Sequence, residues 1–382
     1  MIRRLAVLLT AAALAATTAP AHAAASRGES VRREPASVTI STTGNGHGKG
    51  LSQYGARNRA NAGQGYREIL EHYYPGTSWG TAGGSIRVLL TDAPDNALIV
   101  RSQSGLKARG QGKTWTLPTR RDGKPVKKWR VKTSGTRSEL SYRTGSWHVW
   151  RTRRGAIELV SARPMVLFGA GSYRGVLRLT DAGVVNEVPL ETYLRGVVAS
   201  EVPATWPHAA VEAQSVAART YAVFEREHVS SAREYDLCDT AACQVYRGAS
   251  GEHPGSDAAV RTTAGQVLTY EGEPIFAQFS ASNGGYSVAD ERFPYLVAEW
   301  DEFDRGVPQD PQVRTFTGDQ ITRHWTGLGD LVSVEVTERD TDGVHEGHVT
   351  ELRITGTLRE QVTTGSAFAR FLGLRSTMFT VS

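Results

Sequence analysis

Long apolar runs are missing from this chain beyond its first two dozen residues, so no later segment reads as a membrane span. Cysteine is nearly missing too, with Cys238 and Cys243 the only two. Closing the short loop between them would remove only about 2 kcal/mol of unfolded-chain freedom, enough to pin a loop but not to staple a fold. No HExxH spacing is present, which argues against a zinc peptidase. A serine hydrolase of the nucleophile-elbow type is not expected either. Gly44, Gly46, Gly48 and Gly50 surround Lys49, but no glycine lies five residues before Gly48, and Gly50 stands where a phosphate loop needs Ser or Thr. Lysine is absent after residue 178.

What is present begins with a secretory leader. Arg3 and Arg4 precede an apolar run from Leu5 to Ala16, and Ala21-His22-Ala23 makes a small-x-small cleavage signal. Residues 1–23 therefore read as a signal peptide and 24–37 as a disordered linker, which places the mature chain outside the cytoplasmic membrane. That setting excludes most nucleotide-dependent chemistry. It also makes a disulfide the ordinary state of Cys238 and Cys243. Zinc is the other reading, although no histidine neighbours them and zinc needs three or four ligands. The net charge of +5 hides an asymmetry. Arg101 to Arg178 carries 19 Lys/Arg against three Asp/Glu, whereas Leu179 to Ser382 carries 15 Arg against 30 acidic residues. The basic block, interleaved with Trp115, Trp129, Trp147 and Trp150, suits an anionic polymer. For a secreted chain that polymer is acidic wall material and not nucleic acid. Alternatively the block docks on the acidic half, with its aromatics in a sheet core.

Turn residues divide 81–178 into short alternating segments, the pattern of a sheet or barrel. A different pattern governs 187–223. Leu190, Tyr193, Leu194 and Val197 recur at helical spacing after Pro189, and Val202-Pro203 ends the run. Pro207 opens a second helix whose Ala210, Ala213, Ala217 and Ala218 permit close packing. Glu201 sits in the elbow between the two. A carboxylate held there by apolar helices can have its pKa raised and act as a proton donor. Position alone favours a solvated surface role, which is usual for a Glu near a helix terminus. Helices are expected over 51–62 and 66–73, with His47, Ser52 and Gln53 forming a polar cluster suited to a hydroxylated ligand. The whole reads as an α+β fold, a strand-rich part joined to helical catalytic elements around an open groove.

The run EVPLETYLRGVVASEVPATWPHAAVEAQSVAARTYAV resembles the signature of the stage II sporulation protein D and amidase-enhancer (LytB) family. CDTAACQVYRG, FSASNGGYS, FARFLGLRSTMFTV and GHGKGLSQYGARNRANAGQGYREILEHYYPGT are similar to its other blocks. The resemblance implies a peptidoglycan lytic transglycosylase that cuts the MurNAc–GlcNAc bond with one Glu as acid and base, here Glu201, and needs no cofactor. A single acid is sufficient if the C6 hydroxyl of the muramic acid is the nucleophile. Arg219 and Tyr221 are expected to bind or orient the sugar, unless Arg219 caps acidic groups instead. Tyr246, Ser280, Ser282 and Asn283 are expected to line the groove. Some relatives place a His beside the second cysteine; Ala242 stands there in this chain and favours the disulfide, with no metal. The glycine-rich block usually follows the GLRSTMF block, whereas here it precedes the sheet. That order implies a circular permutation, so 38–80 is a displaced block, 81–178 the basic strand region and 179–382 the catalytic domain. His47, Ser52 and Gln53 must then still reach Glu201. The implied partners are glycan strands, anionic wall polymers and a wall amidase. The same resemblance also admits a non-catalytic wall-binding module that enhances an amidase.

Overall fold

A computed structural model describes residues 37–340 and 347–382. The leader, most of the linker and residues 341–346 lie outside the described residues. The fold is α+β, as expected. Its first strand, Ser37–Thr42, pairs antiparallel with Gln312–Thr317 on one side and Phe379–Val381 on the other. Thr39 and Ser382 exchange backbone hydrogen bonds of 2.8 and 2.9 Å. The two ends of the described chain are therefore neighbours.

Five helices matter to the site: α1 (Gln53–Asn61), α2 (Tyr66–Tyr73), α3 (Leu190–Glu201), α4 (His208–His228) and α5 (Pro254–Thr262). The proline signals act where they were read. Helix α3 ends at Glu201 with Val202 extended at φ −133°, because a residue before proline is pushed out of helical geometry. Pro207 is the N-cap of α4. Leu190, Tyr193, Leu194 and Val197 are all fully or almost fully buried, as are Ala210, Ala213, Ala217 and Ala218. Helix α1 starts two residues later than expected. Leu51 and Ser52 pair instead with Phe279 and Ser280 in a short parallel ladder, and the Ser52 hydroxyl caps the helix by accepting from Gly55 N–H at 3.0 Å.

The basic region and the helical pair are not separate bodies. A seven-stranded sheet joins strands of the basic region to Gly183–Pro189 and Leu237–Cys238, and one core runs from Ile86 through Trp129 and Leu159 to Val197 and Val267. Charge changes sign at residue 178, but Gly183–Pro189 pairs with Val176–Thr180 and Ser85–Leu89, so the sheet continues across it. A six-stranded sheet faces the seven-stranded one. A second core gathers α1, α2 and α4 with Leu268–Leu296, and a third lies under the first strand and the C-terminal helix Gly365–Leu372.

Candidate active site

Glu201, the last residue of α3, projects into a cleft of about 360 Å³. Asn45, Gly46, His47, Gln53, Tyr221, Ala241 to Cys243, Val245 and Gln278 to Ala281 form the other walls. Glu201 is the only carboxylate among these lining residues. Its Oε1 accepts the Val245 N–H at 2.9 Å, and the Gln53 side chain supplies a second hydrogen bond. Burial raises its pKa, and the two donors only partly offset that rise. The helix end acts in the same direction as burial, because the unsatisfied carbonyls of a C-terminus disfavour an anion. The carboxyl is thus poised to hold a proton at higher pH than an ordinary Glu.

The glycine loop reaches the cleft through close backbone approaches. A Cβ on Gly46, at φ +115°, would lie 2.6 Å from the Ser280 Cβ, and one on Gly50 would lie 2.1 Å from the Gln278 carbonyl oxygen. These two glycines let the loop lie flat on residues 278–284, where Asn45 and Ser282 exchange backbone hydrogen bonds. His47 keeps an exposed edge, but protein atoms crowd its ring. That desolvation, helped by the Lys49 charge, lowers its pKa to about 4. Its Nδ1 accepts the Lys49 N–H at 3.0 Å, so the neutral ring carries its proton on Nε2 and donates it to the Phe279 carbonyl. His47 therefore positions the loop and carries no charge near neutral pH.

Tyr221 lines the cleft from α4, stacked on Phe276 with ring centroids 5.3 Å apart. Burial raises its phenol pKa, which keeps the hydroxyl a donor. Ser280 Oγ and Gln278 Oε1 are buried polar atoms on the cleft wall without a hydrogen bond in the protein. Groups of this kind are normally satisfied by a ligand or water. Beyond the lining residues, Tyr54 and Trp206 meet edge to face at 5.2 Å, with the Arg57 guanidinium over both rings.

Several expected binding residues do other work. Arg219 is fully buried: its guanidinium makes a two-pronged ion pair with Glu191 at 2.8 Å and donates to the Val260 and Gln266 carbonyls. It ties α3, α4 and α5 together and does not reach the cleft, so its sugar-binding assignment gives way to the capping alternative. Tyr246 is buried too. Its hydroxyl donates to Asn186 Oδ1 at 2.8 Å and its ring lies where a Cβ on Gly196 would sit, so it braces α3. Ser52, Ser282 and Asn283 face inward. Ser52 and Ser282 donate to Asp304 at 2.9 and 2.6 Å, and Asn283 donates to Asp301 at 3.2 Å. Asp304 also accepts the N–H groups of Gly284 and Gly285. These three residues clamp the glycine loop and α1 to the 280–285 turn and do not touch ligand space. Cys238 and Cys243 are joined in a disulfide, Cα–Cα 5.5 Å, which closes the loop two residues before Val245, the donor to Glu201.

Sequence reasoning missed Gln278 and the Val245 amide. Gln278 stands two residues before Ser280, the spacing that puts both side chains on one face of an extended segment. No local signal marks a backbone N–H. A G-x-S-x-G spacing does occur at Gly76–Gly80, but Ser78 opens an edge strand paired with Thr269 and lies on no strand-to-helix turn.

Residues 179–270 match the family model described as stage II sporulation protein. Over this segment the chain is similar to the stage II sporulation protein D family. It is 41% identical over 125 residues to an amidase enhancer of Bacillus subtilis (strain 168), covering 31% of this chain and 16% of the relative. It is 35% identical over 152 residues to the stage II sporulation protein D of the same organism, covering 35% and 44%. The Bacillus amyloliquefaciens stage II sporulation protein D is 31% identical over 215 residues, covering 51% and 60%. The chain thus spans less than two thirds of each of these relatives. The family segment contains Glu201 and Tyr221, whereas His47, Gln53, Gln278 and Ser280 lie outside it. Among the described residues no helix is long and apolar enough to cross a membrane.

Proposed function

We propose that this protein is a secreted peptidoglycan lytic transglycosylase that cleaves the MurNAc–GlcNAc bond with Glu201 as its single acid and base. The observation that carries the reading is the lone, partly buried carboxylate among the cleft's lining residues. Ordinary glycoside hydrolysis uses two carboxylates, one on each side of the bond. A cleft with one suits a reaction whose nucleophile comes from the sugar. Protonated Glu201 gives its proton to the glycosidic oxygen, the C1–O bond breaks and the GlcNAc 4-hydroxyl leaves. The C6 hydroxyl oxygen of MurNAc then bonds to C1, and its proton returns to Glu201. The product is a 1,6-anhydro ring and no water is consumed. Proton transfer of this kind contributes roughly 10²- to 10⁴-fold.

Gln53 and Val245 N–H hold the carboxyl, while Tyr221, Ser280 and Gln278 offer hydrogen bonds to sugar hydroxyl and acetamido groups. Wall glycan is the proposed substrate and a wall amidase a proposed partner, the latter resting on the name of the Bacillus subtilis relative.

The test is digestion of purified sacculi with product analysis by mass spectrometry. Wild type is expected to release anhydro-muropeptides, and Glu201→Gln to lose at least 10²-fold in rate while remaining folded. If wild type releases no glycan fragments, yet both proteins bind wall and stimulate an amidase equally, the catalytic proposal fails and the enhancer reading replaces it.

A further inference from the structure

The six-stranded sheet turns one face away from the core, and its register gathers cations there. Arg101 stands opposite Lys128, Lys128 opposite Arg143, and Arg143 opposite Trp147, a single row across four adjacent strands. Trp129 and Tyr142, one residue away on their strands, point the other way into the core. Like charges directly opposite on neighbouring strands, about 4.8 Å apart, repel one another and destabilise a sheet. Lys128 lies 3.4 Å from the Phe168 ring centroid and Arg143 donates to the Gly145 carbonyl at 3.2 Å, but neither contact brings a negative charge to the row. No carboxylate lies within 4.0 Å of Arg101, Lys128 or Arg143 among the described residues. Of the three acids of the basic block, Glu139 pairs only loosely with Arg130 at 3.7 Å, Glu158 pairs with Arg178, and Asp122 faces the Tyr142 hydroxyl. The alternative of docking on the acidic half is satisfied by Arg174 and Arg178 alone, through Glu252 and Glu187.

We propose that this face is a binding surface for a phosphodiester wall polymer, a flexible polyol-phosphate chain whose regularly spaced charges lie along the Arg101–Lys128–Arg143 row. Charge complementarity selects a polyanion, and the aromatic side chains select its type. Single-stranded nucleic acid is held by bases stacked on open aromatic faces. Here a guanidinium already covers the aromatic of the row, Arg130 lying 4.2 Å from the Trp147 ring centroid, while Trp150 packs against Trp129 on the core side. The face therefore offers charge without a stacking platform. It would hold the protein on the wall while the cleft, built from other elements, acts on glycan. Apart from that wall setting, the surface stands independently of the cleft chemistry.

The test uses the mature full chain, purified poly(glycerol phosphate) wall polymer and a single-stranded oligonucleotide of equal charge. The triple variant Arg101→Gln/Lys128→Gln/Arg143→Gln touches nothing in the cleft. Wild type should bind the wall polymer, with log K falling linearly in log salt. The variant should bind at least tenfold more weakly, with a slope shallower by about 2. Its melting temperature should equal or exceed that of wild type, because the substitutions remove like-charge repulsion. Equal binding by variant and wild type overturns the proposal, as does tighter binding of the oligonucleotide than of the wall polymer. A clear loss of thermal stability in the variant overturns the premise that the row is held against repulsion. Sacculus digestion by the variant should keep its kcat, which separates failure of this surface from failure of the cleft.

Discussion

Glu201 and His47 share a wall of one cleft, and desolvation drives them in opposite directions, each toward its neutral form. The raised pKa of Glu201 means that the native state holds a proton the unfolded chain has released. Folding stability contributed by this group is therefore lost as pH rises from about its ordinary 4.5 through the raised value. Gln has no charge to bury. Glu201→Gln is accordingly expected to melt above wild type at pH 7, with the gap closing below pH 4.5. Paired thermal melts across that range check the sign. For His47, lowered from 6.5 to about 4, the linkage is reversed. Its neutral form contributes stability that is full above pH 6.5 and lost on acidification toward 4. Urea midpoints at pH 7 and pH 5 should fall less for His47→Asn than for wild type; an equal fall would place the titration elsewhere.

At the scale of elements, the cleft depends on a two-residue parallel ladder, Leu51–Ser52 on Phe279–Ser280, which sets Gln53 on one side and Ser280 on the other. Gly50 permits it. Its φ is +64°, and an added Cβ would overlap the Gln278 carbonyl. Gly50→Ala should cost roughly 2–5 kcal/mol, combining left-handed strain with overpacking, and should depress activity in whatever fraction folds. Gly63, at φ +93° just after α1, has open space around its missing Cβ. Gly63→Ala should cost only about 1–2 kcal/mol and leave activity intact. Denaturant midpoints of the two variants compare strain alone with strain plus collision. Equal losses would mean that the close approach at Gly50 contributes nothing.

At the scale of the whole molecule, the first strand lies between Gln312–Thr317 and Phe379–Val381, with Ser382 hydrogen-bonded to Thr39. A chain whose ends are neighbours tolerates new ends elsewhere. Gly83 lies in an exposed connection between the strands Ser78–Thr81 and Ser85–Leu89, with nothing near its missing Cβ. A permutant that joins Ser382 to Ser37 by a short linker and opens at Gly83 should fold, melt within a few degrees of the parent and keep the cleft's activity. It would also restore the block order expected of the family. Loss of folding in that permutant would show that the first strand must be made before the sheets it closes.

Much was legible from the residues alone. Prolines at 189, 203 and 207 bound the helix pair, because they act through local backbone geometry and require no partner. The apolar stripe at 190, 193, 194 and 197 identified the buried face of α3 for the same reason. Sequence also placed Glu201 in the elbow and drew together the two cysteines, which are five positions apart. Tertiary structure decided what each polar side chain faces. Arg219 lies on a helix full of small residues, and only the approach of Glu191 and the 260–266 segment turns it into a buried tie. Ser282 and Asn283 look like ligand groups until Asp301 and Asp304 arrive from some twenty positions downstream to take their hydrogen bonds. The like-charged row at 101, 128 and 143 exists only once strand register is set. Short-range geometry is written in neighbouring residues, whereas a polar group's partner is whichever donor or acceptor the folded chain brings within 3 Å, and that depends on all the packing at once.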